Sequence, residues 1–259
     1  MKFTRIFAAI AVASSLTVSA SAIAADTATF TDTQKTQIQT IVHDYLMKNP
    51  EVIADAVQSL QQKQMDQMRT KGQEAALKNS ALLFKQSTDP VIGNPTGKVT
   101  LVEFFDYQCP HCVEMDPDLM AIMKANPDLR IVMKEFPIRG PLSLSASKAA
   151  LAASKQGKYL EYHEAVMKDA QALSNDKLMD MAKSLGLDMK KFKADMDSAD
   201  VDAQIKATYK LAQDLQLYGT PALFIVKSDA PKDAKSIEFI PGQVDQKYLQ
   251  SSIDKISHS

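Results

Sequence analysis

The chain has 259 residues, 45% of them hydrophobic and 24% charged, with a formal net charge of −1. Length of this order suits one ordinary domain plus an appendage and supplies enough core to fold without a structural disulfide. The near-neutral balance, −3 once Lys2 and Arg5 are lost with a leader, argues against nucleic acid or an anionic membrane surface as the main partner.

Lys2 and Arg5 precede an apolar stretch from Ile6 to Val18, and Ala20 to Ala22 and Ala22 to Ala24 both fit a small-x-small cleavage pattern. Residues 1–25 therefore read as an export signal cut after Ala24 or Ala25. An uncleaved anchor is the alternative, but the apolar run is short for a ~20-residue span. No cysteine follows the cleavage region to carry a lipid, and no later segment has the length and apolarity of a membrane span. The expected location is outside the cytoplasm.

Residues 26–88 read as a helical arm. Thr31 to Gln34 resembles a capping box, and Ile38, Ile41, Val42, Tyr45 and Leu46 recur at helical spacing. Asn49 and Pro50 end this helix and open the next. The helical pattern then continues to about Lys85, with a stripe of Ile53, Val57, Leu60, Met65 and Met68 and a candidate break at Gly72. If continuous, such a helix spans ~50 Å. A single apolar stripe needs something to pack on. Either it lies along its own catalytic domain or it joins copies of the chain. Its length favours self-association, a dimer before a trimer, although the stripe is too irregular for a strict coiled coil. The turn-forming residues from Ser87 to Gly97 mark the boundary.

Residues 89–259 read as the catalytic domain. Val99 to Phe105 is a near-continuous apolar run, as expected of a central buried strand. A helix is expected from Pro110, a strand from Arg130 to Phe136, and an alanine-rich helical stretch from Leu144 to Met167. Further helices are expected near Asp176, Asp188 and Asp202. Pro221 to Val226 reads as a strand, Ser236 to Ile240 as its hairpin partner, and Gln243 to Ile256 as a closing helix. The order implies an α/β sheet with a helical insertion.

The chemistry concentrates in Cys109, Pro110, His111 and Cys112, which hold both cysteines of the chain. A bridge closing so small a loop constrains little of the unfolded chain, so the pair reads as reactive. At a helix start, free N–H groups and the helix dipole stabilise a thiolate on Cys109. Pro110 suits the first helical turn, and a protonated His111 would add positive charge beside the sulfur. Stabilising the thiolate makes the disulfide more oxidising. Cys112, one turn on, is placed to close or resolve the disulfide. Zinc wants four ligands and has no second pair here. Copper(I), with Met115, Met120 and Met123 nearby, suits the ligand types better, although methionine at helical spacing usually fills a core.

At these residues, from Phe104-Phe105 through Cys109 to Cys112, the sequence resembles the DsbA family of bacterial periplasmic disulfide oxidoreductases. The resemblance runs from about Pro90 to Ile256 and implies a thioredoxin fold. It implies that Thr220-Pro221, before an apolar strand, is the cis-proline loop, set against the Cys109 sulfur and able to pair with an extended substrate. In similar proteins an acid at the position of Glu103 relays a proton for the buried cysteine and pairs with a neighbouring lysine, for which Lys134 is the candidate. A purely structural ion pair is the alternative. Pro117 matches the proline that kinks the active-site helix.

Threonine before the cis-proline, and the arm itself, depart from the simplest DsbA pattern toward the isomerases DsbC and DsbG and toward ScsC. The resemblance thus implies an exported disulfide oxidase or isomerase with no cofactor beyond Cys109–Cys112. Its clients would be unfolded or misoxidised exported proteins, its redox partner DsbB-like, DsbD-like or both, and its state a homo-oligomer. A copper(I)-binding protein using the same cysteines is the alternative.

Overall fold

The computed structural model describes residues 30–229 and 231–258; the leader read at residues 1–25 lies outside them. Two compact units divide between Gln58 and Ser59. The first contains α1 (Asp32–Lys48), opened by the Thr31/Gln34 capping box and closed at Asn49, and the first turns of α2 (Glu51–Lys78). Nothing on α1 is buried, and Ile41 and Tyr45 are 66% and 55% exposed.

The second unit continues through the rest of α2, α3 (Ser80–Phe84), β1 (Val91–Gly93), β2 (Val99–Phe105), α4 (Pro110–Ala125) and β3 (Leu129–Glu135). A helical block follows: α5 (Pro141–Ser154), α6 (Tyr159–Lys168), α7 (Asn175–Ser184), α8 (Met189–Met196) and α9 (Ala199–Asp214). The chain closes with β4 (Ala222–Lys227), β5 (Glu238–Ile240) and α10 (Gln246–His258). Side-chain oxygens of Ser174, Asp188 and Ser198 cap α7, α8 and α9, supplying acceptors for otherwise orphaned N–H groups. The alanine-rich stretch is two helices, because Gly157 takes a left-handed φ of +70° between α5 and α6.

The sheet order is β1-β3-β2-β4-β5, with β2 and β3 parallel and the other pairs antiparallel. All of β2 is buried, as its unbroken apolar run requires. One face carries Leu101, Phe105, Ile131 and Leu223 and packs under α4, the α5–α8 block and α10. The opposite face carries Val102, Phe104, Val132 and Phe224 and packs against Ala76 of α2, Leu83 and Phe84 of α3, and Leu211 of α9. The expected division at residue 88 therefore moves to Gln58. Without the end of α2 and α3, this second face would keep only α9 as cover.

α2 is not broken at Gly72. A Cβ there would overlap the Phe239 ring, so glycine lets the helix lie directly on β5. β1 was not expected: three residues among turn-formers carry too little pattern to read as a strand.

Candidate active site

β2 delivers the chain to a turn organised by Asp106. Its buried carboxylate accepts hydrogen bonds from the N–H groups of Gln108, Ile138 and Arg139 and from the Ser143 hydroxyl, at 2.7–2.9 Å. The Cys109 N–H donates to the Asp106 carbonyl at 3.0 Å. Cys109 then caps α4 with extended backbone, and Pro110 takes the first helical position, where its missing N–H costs nothing. Both sulfurs are buried and free. The Thr220–Pro221 bond is cis, and the Cys109 thiol lies 3.2 Å from the Thr220 carbonyl oxygen.

The Cys109 thiol is lowered to about 5, first by a hydrogen bond from Cys112 and then, against the opposing effect of burial, by Thr220 and by the backbone N–H groups of Cys112 and His111. The buried Thr220 hydroxyl has no hydrogen-bond partner among the described residues. Cys112 is pushed strongly upward, first by burial, then by its bond to Cys109 and the nearby charge of Glu103. The two thiols are thus driven apart, a poised nucleophile and a protonated resolving thiol. His111 acts on Cys109 through its main chain. Its ring Nδ1 faces the Gln243 side-chain oxygen at 2.7 Å, so Gln243, which the sequence did not single out, fixes its orientation.

Glu103 is 2% exposed on the cysteine face, and burial raises its carboxyl well above the usual range, reinforced by Asp116, Glu135 and Cys109. Lys134 is not its partner. In the parallel β2–β3 register Lys134 lies opposite Phe104 and Glu103 opposite Met133, so the two side chains leave opposite faces of the sheet. Lys134 instead forms a buried ion pair with Asp89 and donates to the Leu82 carbonyl at 2.7 Å.

Behind Glu103 lies a second buried acid. Glu135 accepts from Tyr159 at 2.7 Å and Tyr107 at 3.2 Å, and burial pushes it up to about 8. His163 sits between Tyr107 and Asp116, at 3.0 Å from each. Met115 and Met120, on the inner face of α4, are packed into the core. No group of three or more histidine, cysteine, aspartate or glutamate residues gathers to hold a metal among the described residues. The arrangement can exchange a disulfide and manage one proton at the buried sulfur.

The chain matches the DSBA-like thioredoxin domain over residues 100–254, and residues 34–67 match the N-terminal domain of the copper resistance protein ScsC. With more than half of its length in the first match, the chain belongs to the DSBA-like thioredoxin family. It is a variant with a ScsC-like N-terminal arm on a thioredoxin-like fold.

The thiol:disulfide interchange protein DsbA of Bordetella parapertussis is 30% identical over 141 residues, 52% of this chain and 67% of that one. The structure of BcfH from Salmonella enterica Typhimurium superposes with a TM-score of 0.71 at 30% identity, covering 86% of this chain and 96% of that one. ScsC from Proteus mirabilis in a transitional conformation gives 0.61 at 28% identity, covering 89% and 100%. Na(+)/H(+) antiporters also match, among them NhaA 3 of Salinispora tropica at 28% identity over 145 residues, but the chain spans only 21% of that protein's length. No helix among the described residues is long and apolar enough to cross a membrane.

Proposed function

We propose that the chain is exported to the periplasm, assembles through its arm, and forms or isomerises disulfides in other exported proteins. The observation that carries this reading is the split between Cys109, lowered to about 5, and Cys112, pushed upward, beside the Thr220 carbonyl.

In the oxidising direction a client thiolate attacks Cys109 Sγ. The Cys109–Cys112 bond breaks, and Cys112 leaves with the electron pair and takes a proton, for which the protonated Glu103 is the nearby source. A second client thiolate attacks the client sulfur of the mixed disulfide. The client disulfide forms and Cys109 departs as a stabilised thiolate. In the isomerising direction that thiolate attacks a wrong client disulfide and is released after reshuffling. Electrons pass between sulfurs throughout, so the scheme needs no cofactor. The oxidising direction needs recharging by a DsbB-like partner, and the isomerising direction needs a DsbD-like one to keep the pair reduced. Thr220 and Pro221 present an edge on which an extended client can pair. The exposed apolar residues of α1 and early α2, Ile41, Val42, Ile53 and Leu60 among them, support a homo-oligomer.

Trapping the Cys109–Cys112 redox state in cells by alkylation and gel shift tests the direction. A mostly disulfide population supports the oxidase mode, and a mostly dithiol population the isomerase mode. The match of residues 34–67 to a domain of a copper resistance protein favours a second reading, copper(I) binding by the same cysteines. Tight copper(I) binding without turnover of a model dithiol would select it over exchange.

A further inference from the structure

Building on that redox reading, we propose that the second half of α2 forms one wall of a client groove, and that its occupant is the extended, apolar segment on one side of the client's reacting cysteine. Two adjoining hollows of about 240 and 220 Å³ share Met68, Gln216, Tyr218 and Phe239. The first begins at Thr220 and Pro221, whose carbonyl side touches Cys109; the second continues along α2 past Gln64 and Lys71. A client sulfur reacting with Cys109 brings its own main chain to Thr220, so the chain leaving that point on this side enters the groove. From Gln64 to Lys71 the helix rises ~10 Å, the length of roughly three extended residues.

The lining suits an unfolded chain. Met68 is 38% exposed, the ring of Tyr218 is 84% exposed beside the cis-proline loop, and the buried Phe239 forms the floor between them. Gln64, Gln67 and Gln216 each offer a donor and an acceptor that can pair with main chain whatever its sequence. Gln216 is held at a φ of 55° at the end of α9, where the Leu217 N–H closes on the Ala212 carbonyl at 2.9 Å. Glycine takes that position at least strain. Keeping a long amide there sacrifices stability and retains a side chain at the groove. The wall itself is fixed: Gly72 lies on Phe239, Gln73 donates to the Ile237 carbonyl at 2.6 Å, and Arg69 to the Tyr248 hydroxyl at 3.3 Å.

The test uses the full chain in turnover with oxidised glutathione as oxidant. Its two substrates are dithiothreitol and an unstructured two-cysteine peptide with leucine neighbours. Met68→Gln with Tyr218→Ala is expected to raise the peptide KM roughly tenfold while leaving kcat and dithiothreitol turnover unchanged. Gln216→Gly is expected to raise the melting temperature and the peptide KM together, which a merely structural role would not do. An unchanged peptide KM in these variants overturns the groove. So does an altered subunit mass with unchanged KM, which would seat a second copy there. Failure of the parent to turn over dithiothreitol would instead overturn the redox reading on which the groove rests.

Discussion

The two faces of the sheet bury charge in opposite ways. On the face under α2 and α3, Lys134 meets Asp89, and each is nearly inaccessible, at 2% and 3%. On the face under α4, no cation among the described residues pairs with Glu103 or Glu135, and burial raises both toward the neutral form. Pairing fixes a charge and ties segments together: here it anchors the chain before β1, and the Leu82 carbonyl of α3, to β3. Leaving an acid unpaired keeps a proton within reach of a sulfur. The first solution is architectural and the second is chemical.

Breaking the pair should produce the largest effect. Lys134→Met leaves the Asp89 carboxylate and the Leu82 carbonyl without their donor, and is expected to cost about 3–5 kcal/mol in urea unfolding at pH 7. Since burial raises the Asp89 pKa, this loss should shrink as pH falls and the carboxyl protonates. Adding Asp89→Leu should restore part of it. A Lys134→Met protein as stable as the parent would refute the architectural role.

Glu135 comes next, with the opposite sign. Its folded pKa of about 8 lies above the unfolded value, so the folded state binds the extra proton between the two. Stability from this group is fully present below about pH 4.3 and is lost as pH rises through about 8. Glu135→Gln should therefore be more stable relative to the parent at pH 8 than at pH 5, by about 1–3 kcal/mol. Equal differences at the two pH values would sink the assignment.

Glu103→Gln sharpens the chemical half. Like Glu135→Gln it should stabilise the fold relative to the parent as pH rises, since burial raises its carboxyl too, but it should slow attack of Cys112 on a mixed disulfide roughly tenfold near pH 7. Stopped-flow release of a fluorescent thiol would measure it, and a rate equal to or above the parent's would remove the relay role. The smallest effect belongs to Gln243→Leu. Freeing the His111 ring should shift the glutathione redox equilibrium by only about two- to threefold, the scale of one exposed hydrogen bond. A tenfold shift would mean the ring does more than its contact suggests.

What the sequence disclosed divides along similar lines. The buried run from Val99 to Phe105 and the Cys109–Cys112 helix start were legible because each is a local pattern with a local cause; the cis Thr220–Pro221 loop was legible only through the family resemblance. The partner of Lys134 was not. It depended on strand register, and a period of two sends neighbouring residues to opposite faces. Gln243 meets His111 from a position 132 residues away, and nothing at either end announces it. Asp106 left a faint signal, an acid ending a buried strand, that could have been read as a turn anchor. The end of α2 was assigned to the arm because its composition continues the arm's. Only the bare face of the sheet reveals that it belongs to the core.

Gly72 narrows what mutation can do to this chain. Every other amino acid carries a Cβ, and at this position that atom would overlap the ring of Phe239, which is itself stacked on Phe224 with centroids 4.5 Å apart, so the ring could yield only by giving up that stacking. Position 72 permits a single letter, and a descendant that changes it must either lift the helix off the strand or replace an aromatic in the same step.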